Sequence, residues 1–342
     1  MTTIGLLDAE RKKASFDVDA LTLVLAGSAD AHAKKKRMLG IVSGDAVLQR
    51  GQASASRTQR HIQSLAKSKR LVELKRKHGW SLEEHIQARR MMGEVLPDDV
   101  HYSMFIPNIQ SLCSDEQQAH WLPRIESGEV FGCYAQTELS HGSNVRALRT
   151  TATYVRETDE IEIDTPDLEA TKWWPGGLGL TANHAMVFAR LIVDGVDHGV
   201  HNFIVQIRDL LTHEPMPGVR LGDIGPKIGY NTVDNGYAAF ARVRIPRSNM
   251  PCRYTSLTRD GALVRNPGVN PRVSYITMLG NARAVRRGRP SVSAPWRDHS
   301  GPPPTSCRLD GLRRLEAALR PRRPSLAAFV LVSDRMQACA PC

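Results

Sequence analysis

Several things are missing from this 342-residue chain. Its longest apolar run, Leu326 to Val332, falls far short of the roughly 18 residues that a membrane span needs, so none is expected. The N-terminus, Met1-Thr2-Thr3-Ile4-Gly5, has no basic region followed by an apolar core, so no secretory leader is expected and synthesis in the cytosol follows. The six cysteines, at 113, 133, 252, 307, 339 and 342, lack the paired spacing of a zinc site or a small disulfide framework, which leaves reduced thiols and no metal as the expectation. Cys339 and Cys342 form a C-x-x-C, but no helix follows to lower a thiol pKa, and Pro341 makes the same residues a poor prenylation box. No G-x-G-x-x-G follows a strand. Gly176-Gly177-Leu178-Gly179 and Gly222 to Gly229 lack that spacing, which disfavours a Rossmann site.

What is present is unevenly distributed. Of the net charge of +11, +7 comes from residues 284 to 342, where eleven Arg and no Lys face four acidic residues. The rest of the chain is only mildly basic, as binders of anionic coenzymes often are. Without aromatic interleaving or a recognisable module, the arginines do not make a nucleic-acid partner the expected one. The same 59 residues hold eight of the 20 prolines and contain no Ile, Lys, Asn or Tyr. Such a tail cannot bury enough apolar surface to offset its ordering entropy, so disorder is expected, with at most a short helix over Leu312 to Leu319.

Residues 1 to 130 read as a helical domain. Asp17 to Ala26 is apolar on most positions and stops at Gly27, and Ser56 to His78 places Ile62, Leu65, Val72 and Leu74 among many Lys and Arg before Gly79. Its basic run Lys67 to Lys77 reads as a solvated exterior. Ser81-Leu82-Glu83-Glu84 and Ser114-Asp115-Glu116-Gln117 fit capping boxes for helices closing near Gly93 and Ser127. Between them Val100 to Leu112, interrupted by Pro107, predicts a buried helix that is kinked or split. From 131 to 250 the period changes. Thr150 to Val155 and Glu160 to Ile163 flank a polar turn, and Ala185 to Ile192, His201 to Ile207 and Ala238 to Ile245 are further strands. The class is therefore α+β: helices, then a compact antiparallel, barrel-like domain of six to eight strands.

The stretch Phe131 to Gly179 carries the candidate chemistry. Gln136-Thr137-Glu138 sets an amide, a hydroxyl and a carboxylate beside a turn of small residues, and Lys172-Trp173-Trp174-Pro175-Gly176-Gly177 sets two indoles against two glycines whose bare backbone can approach a flat ligand. These two segments, with Asp223-Ile224-Gly225-Pro226-Lys227, Asp234-Asn235-Gly236-Tyr237 and Arg244-Ile245-Pro246-Arg247, resemble the peroxisomal acyl-CoA oxidases, the flavin-dependent branch of the acyl-CoA dehydrogenase superfamily, from about residue 10 to about residue 280. The resemblance thins over residues 251–283 and stops where the family continues into long helices. A retained intron or shifted frame is the expected origin of the tail.

The resemblance implies FAD as cofactor, with Thr137 and Gly176 binding it and Gln136, Glu138, Trp174 and Gly177 flanking them. Adjacent strand residues point to opposite faces, so only one of Trp173 and Trp174 is expected to meet the flavin ring. It further implies α,β-desaturation of a fatty acyl-CoA with oxygen as acceptor, a homodimer, and a peroxisomal address, though Ala340-Pro341-Cys342 is no Ser-Lys-Leu signal. His141 to Asn144 is expected to border the acyl-CoA channel, and Asp223 to Tyr237 to support the thioester side. The family's base, a glutamate of the C-terminal helices, has no counterpart: Glu316 stands in an unlike, Arg-rich setting, and no catalytic residue is nominated. A flavin- or acyl-CoA-binding fragment without activity, or one that pairs with full-length subunits, is the alternative, and an acyl-CoA dehydrogenase is the runner-up enzyme.

Overall fold

The computed structural model describes residues 9–49, 51 and 54–266, all within one compact unit, Met1–Ser291. The expectations for residues 267–342, the tail and Glu316 among them, lie outside the described residues.

The helices begin and end where side chains satisfy their free backbone groups. Helix α1 (Val18–Ala26) starts at Asp17, whose carboxylate accepts from the amides of Asp19 and Ala20, and α2 (Ala29–Gly44) starts at Ser28. Full capping boxes open α3 (Arg57–His78) with Ser56 and Gln59, and α4 (Leu82–Arg90) with Ser81 and Glu84. Helix α4 stops at Arg90, one turn short of Gly93. The split helix expected around Pro107 is a π-turn, His101–Phe105, running into α5 (Ile106–Leu112), and α6 (Asp115–Ser127) follows from the Ser114 box to Gly128.

Helix α3 departs from its apolar reading. Ile62 and Leu65 are exposed, and the buried stripe is Ser64, Lys67, Ser68, Leu71 and Leu74. The stripe keeps a spacing of three or four, but three of its five residues are polar, and acceptors meet two of them: Lys67 Nζ lies 2.5 Å from Glu94 Oε1 and Ser68 Oγ donates to Asp98 Oδ1 at 2.7 Å. Lys67 thus leaves the solvated exterior assigned to its run.

Strand β5 (His184–Val193) organises the sheets. One edge pairs along its length with antiparallel β6 (Val196–Gln206). The other edge is shared end to end: β1 (Gly132–Ala135) takes residues 184–187 and β2 (Thr151–Val155) takes 190–192, both parallel. From β2 the sheet extends antiparallel to β3 (Glu160–Asp164) and β9 (Val243–Pro246). The domain is therefore mixed rather than antiparallel throughout, because the chain re-enters beside β1 in the same direction after the β2–β3 hairpin. A second sheet orders β4 (Lys172–Trp173), β8 (Gly236–Phe240) and β7 (Val219–Asp223). The single strand expected over Ala238 to Ile245 breaks at Arg242 (φ 51°) and serves both sheets. A hairpin of β10 (Thr255–Leu257) and β11 (Leu263–Arg265) ends the described chain.

Alternation along β5 feeds two cores. Ala185, Val187, Ala189 and Leu191 pack with Phe203, Ile161, Ile163 and Phe240 between the sheets. Met186 and Phe188 face the other way, onto Phe105, Ile109 and Trp121 of the helical layer. Gly132 lies where that layer comes closest: a Cβ there would sit 2.2 Å from the Phe105 ring. Its amide donates to His101 Nδ1 at 3.0 Å, which fixes that ring as neutral, and burial draws the His101 pKa down to about 3.

Candidate functional site

Past β1 the chain runs alongside the segment leading into β4. Trp173 N donates to Thr137 O at 3.0 Å and Thr137 Oγ1 donates to Trp173 O at 2.5 Å. Leu139 N donates to Thr171 O at 2.9 Å. Half-buried Thr137 thus stands directly beside the main chain of Trp173, its hydroxyl oxygen still able to accept a bond. Gln136, next to it, is buried, and its side-chain Nε2 finds no partner in the protein. A buried NH2 group without an acceptor is costly, and a polar-edged ligand beside Thr137 would supply one.

Glu138 faces inward instead. Its carboxylate accepts from Arg149 N (2.8 Å), Thr150 N (2.9 Å), Thr150 Oγ1 (2.6 Å) and Lys172 Nζ (3.1 Å). Burial opposes its ionisation, but the Lys172 charge and these hydrogen bonds outweigh it and hold the carboxyl below its usual range. Burial draws Lys172 down to about 8 against the pull of Glu138, and its ammonium also donates to Phe188 O at 2.6 Å. The Glu138 carboxylate, expected to flank the cofactor, is thus occupied by protein donors, and the pair joins the end of β1 to β4.

The Trp-Trp-Pro-Gly-Gly segment forms a corner pinned to the start of β8. Trp174 N donates to Gly236 O (2.9 Å), Gly236 N to Pro175 O (2.9 Å), and Asn235 Nδ2 to Trp174 O (2.7 Å). Trp174 takes φ 86°, outside ordinary strand geometry. The turn defeats the alternation argument: both indoles reach the surface, Trp173 stacked on Tyr237 at 6.1 Å and Trp174 52% exposed. Gly177 has φ 78°, and a Cβ on Gly176 would meet Val100 Cγ2 at 2.9 Å and Val233 Cγ1 at 3.2 Å. Gly176 is therefore required by the protein's own packing.

Two charged residues hold the turn that follows: Asp234, from the Asp234-Asn235-Gly236-Tyr237 motif, and Arg208, which the sequence did not single out. Buried Asp234 accepts from Leu180 N (2.7 Å), Thr181 N (2.8 Å) and Thr181 Oγ1 (3.0 Å). Arg208 donates to the carbonyls of Leu178 (3.0 Å), Gly179 (2.7 Å) and Ala182. Three arginines have structural partners: Arg57 with Asp223, Arg244 with Glu162, and Arg247 with Asp159. The loop His141 to Asn144, exposed beyond half-buried His141, is tied by main-chain bonds between Glu138 and His141, and Ser143 O and Asn144 O accept from Val145 N (3.1 Å) and Ala147 N (3.0 Å). Among the described residues no group of three His, Cys, Asp or Glu side chains is placed to hold a metal, and no helix is long and apolar enough to cross a membrane.

Thr137, Trp173, Trp174, Gly176 and Gly177 thus lie on one continuous hydrogen-bonded strip, with the unpartnered Gln136 amide at its end and Glu138 behind it. A helical layer feeding a curled mixed sheet with such a corner is the architecture of the acyl-CoA dehydrogenase class, and the model of the acyl-CoA dehydrogenase middle domain matches residues 133–243. The acyl-coenzyme A oxidase N-terminal model matches residues 17–131, and with both domains present the chain belongs to the acyl-CoA oxidase family. It is 42% identical over 287 residues to peroxisomal acyl-coenzyme A oxidase 1 of Arabidopsis thaliana, covering 82% of this chain and 42% of that protein. Against the same protein of Bos taurus it is 40% identical, covering 80% and 42%. Among solved structures, acyl-CoA oxidase 1 of Arabidopsis thaliana superposes with a TM-score of 0.77 at 41% identity, over 82% of this chain and 43% of that one. Acyl-CoA oxidase-2 of Caenorhabditis elegans, bound with FAD, ascaroside-CoA and ATP, gives 0.74 at 38% identity, over 80% and 42%. The chain spans about two-fifths of the length of the relatives it matches.

Proposed function

We propose that this chain is the flavin-holding portion of a peroxisomal acyl-CoA oxidase, with FAD seated against the strip from Gln136 to Gly177. Bound there, FAD would supply the hydride acceptor for α,β-desaturation of a fatty acyl-CoA, with oxygen as the final acceptor and hydrogen peroxide as product. Within that reading Thr137 offers its hydroxyl oxygen, Gln136 its unpartnered amide, and Trp174 an exposed indole for stacking. Gly176 and Gly177 contribute main chain. Glu138 and Lys172 keep the two halves of the strip in register.

The α-proton of the substrate needs a carboxylate base of raised pKa beside it. Glu138 does not serve, since its carboxylate is held ionised among protein donors. No residue of this chain is assigned that step, so the proposal assigns binding and orientation here. Fatty acyl-CoA is the substrate class, and a second copy of the chain the partner, both carried over from the family.

The observation that carries the proposal is the buried Gln136 amide without an acceptor, one residue from Thr137 and its tie to the tryptophan corner. The purified full chain should take up FAD, seen as a yellow chromophore retained through gel filtration. Peroxide release on adding a long-chain acyl-CoA separates an oxidase from a binding module. A chain that retains no FAD at saturating concentration refutes the reading.

A further inference from the structure

Behind the corner, on its helical side, lies a buried ion pair that the flavin reading does not use. Arg89 of α4 meets Asp98 end on: Nη1 donates to Asp98 Oδ2 at 2.8 Å and Nη2 to Oδ1, with the two side chains 4% and 2% exposed. Ser68 Oγ adds a bond to Asp98 Oδ1 at 2.7 Å, and the guanidinium lies 4.6 Å over the Tyr102 ring. Replacing such a pair with apolar residues is often neutral or stabilising, so stability alone is weak grounds for having one, whereas a bidentate pair fixes position closely.

What it fixes is visible on both sides of Asp98. Pro97 O lies 3.5 Å from where a Cβ on Gly177 would be, and Val100 Cγ2 lies 2.9 Å from where one on Gly176 would be. Three residues before Asp98, Val95 O accepts from Thr232 Oγ1 at 2.6 Å. Thr232 adjoins Val233, the other neighbour of Gly176. Both of these approaches of the helical segment to the paired glycines are thus made within two residues of Asp98.

We propose that Asp98, clamped by Arg89, is a positioning residue for the Trp174–Gly177 corner: it sets the height of the glycine main chain from behind, through Pro97 and Val100. For its ligand readout this rests on the flavin reading above. The strut itself is a property of the ligand-free chain and is tested there.

The test is hydrogen exchange on the full, ligand-free chain, comparing the amides of Trp174, Gly236 and Ala182, all hydrogen-bonded within the corner, with those of β5 in the same molecule. Asp98→Asn should speed exchange at the corner about tenfold relative to β5, the scale of losing a charge-assisted hydrogen bond. Val100→Ala, which keeps the pair and removes the methyl facing Gly176 along with some packing in the helical core, should act in the same direction and covers the case in which Asp98→Asn does not fold. Asp159→Asn, in the ion pair with Arg247 on the β3–β9 side, should leave the corner-to-β5 ratio unchanged. Where the parent binds FAD, Asp98→Asn should weaken it about tenfold and shift the flavin absorbance band, with Asp159→Asn doing neither. Unchanged ratios in Val100→Ala and in any folded Asp98→Asn, or an equal response from Asp159→Asn, overturn the strut. A parent that binds no FAD overturns the flavin reading instead, and the exchange ratios still decide the positioning role.

Discussion

Replacing Gly176 with alanine separates two reasons for a glycine at that position, a ligand that needs bare backbone or a protein neighbour that leaves no room. The structure favours the neighbour. An added methyl would lie 2.9 Å from Val100 Cγ2 and 3.2 Å from Val233 Cγ1, both short for carbon atoms. Overpacking of this kind costs about 1–3 kcal/mol, so Gly176→Ala alone should lower stability by that much in urea denaturation. Val100 is half-buried, and Val100→Ala should cost about 1 kcal/mol through lost methyl contacts. Combined, the truncation makes room for the new methyl, and the double variant should be about 1–2 kcal/mol more stable than the sum of the singles. FAD affinity should follow the same cycle, falling in Gly176→Ala and recovering in the double variant. Stability effects that add to within about 0.5 kcal/mol would mean the two residues do not press on each other. A double variant that regains stability without regaining FAD would show that the ligand itself needs the bare backbone.

Three further outcomes follow from the same strip and its surroundings. Glu138→Gln strands the buried Lys172 ammonium and should cost about 3–5 kcal/mol in urea, a loss that Glu138→Gln with Lys172→Met should largely restore. Gln136→Leu should raise the stability of the ligand-free chain by about 1 kcal/mol, by removing a buried NH2 without an acceptor, while lowering FAD affinity; unchanged affinity would place Gln136 away from the ligand. Burial lowers His101 from 6.5 to about 3, and His85 and His184 to about 4. The unfolded chain therefore binds more protons than the folded one below about pH 6.5, so stability is full above that pH and is lost as pH falls toward these folded values. At pH 5 each should cost about 2 kcal/mol, and His101→Asn should flatten the slope, which urea titrations at pH 7, 6 and 5 would reveal.

Signals in the sequence hold wherever the deciding interaction is local. The boxes at Ser81 and Ser114, the stops at Gly27 and Gly79 and the break before Pro107 all involve partners within a few residues. The buried face of α3 is not legible in its apolar pattern because Lys67 and Ser68 take their partners from Glu94 and Asp98, 27 and 30 residues away. Alternation fails at Trp174 because one positive φ resets which side the next residue faces, and composition does not encode that angle. Arg208 escapes notice for a related reason: it is an ordinary charged residue until the fold brings a glycine-rich turn against it. Thr137 and the tryptophan corner are legible as neighbours only through family resemblance, since 36 residues separate the hydrogen-bonded pair.

The way β5 serves two hydrophobic interiors limits how this polypeptide can be cut. A version begun at residue 131 would keep every strand, yet it would present Tyr134, Met186, Phe188 and Ile204 to water along one flank of the sheet. Expressed alone, the strand-rich part should aggregate. The two stretches matched by separate family models should therefore melt as a single cooperative body in a calorimeter, and a minimal soluble version should need its helices.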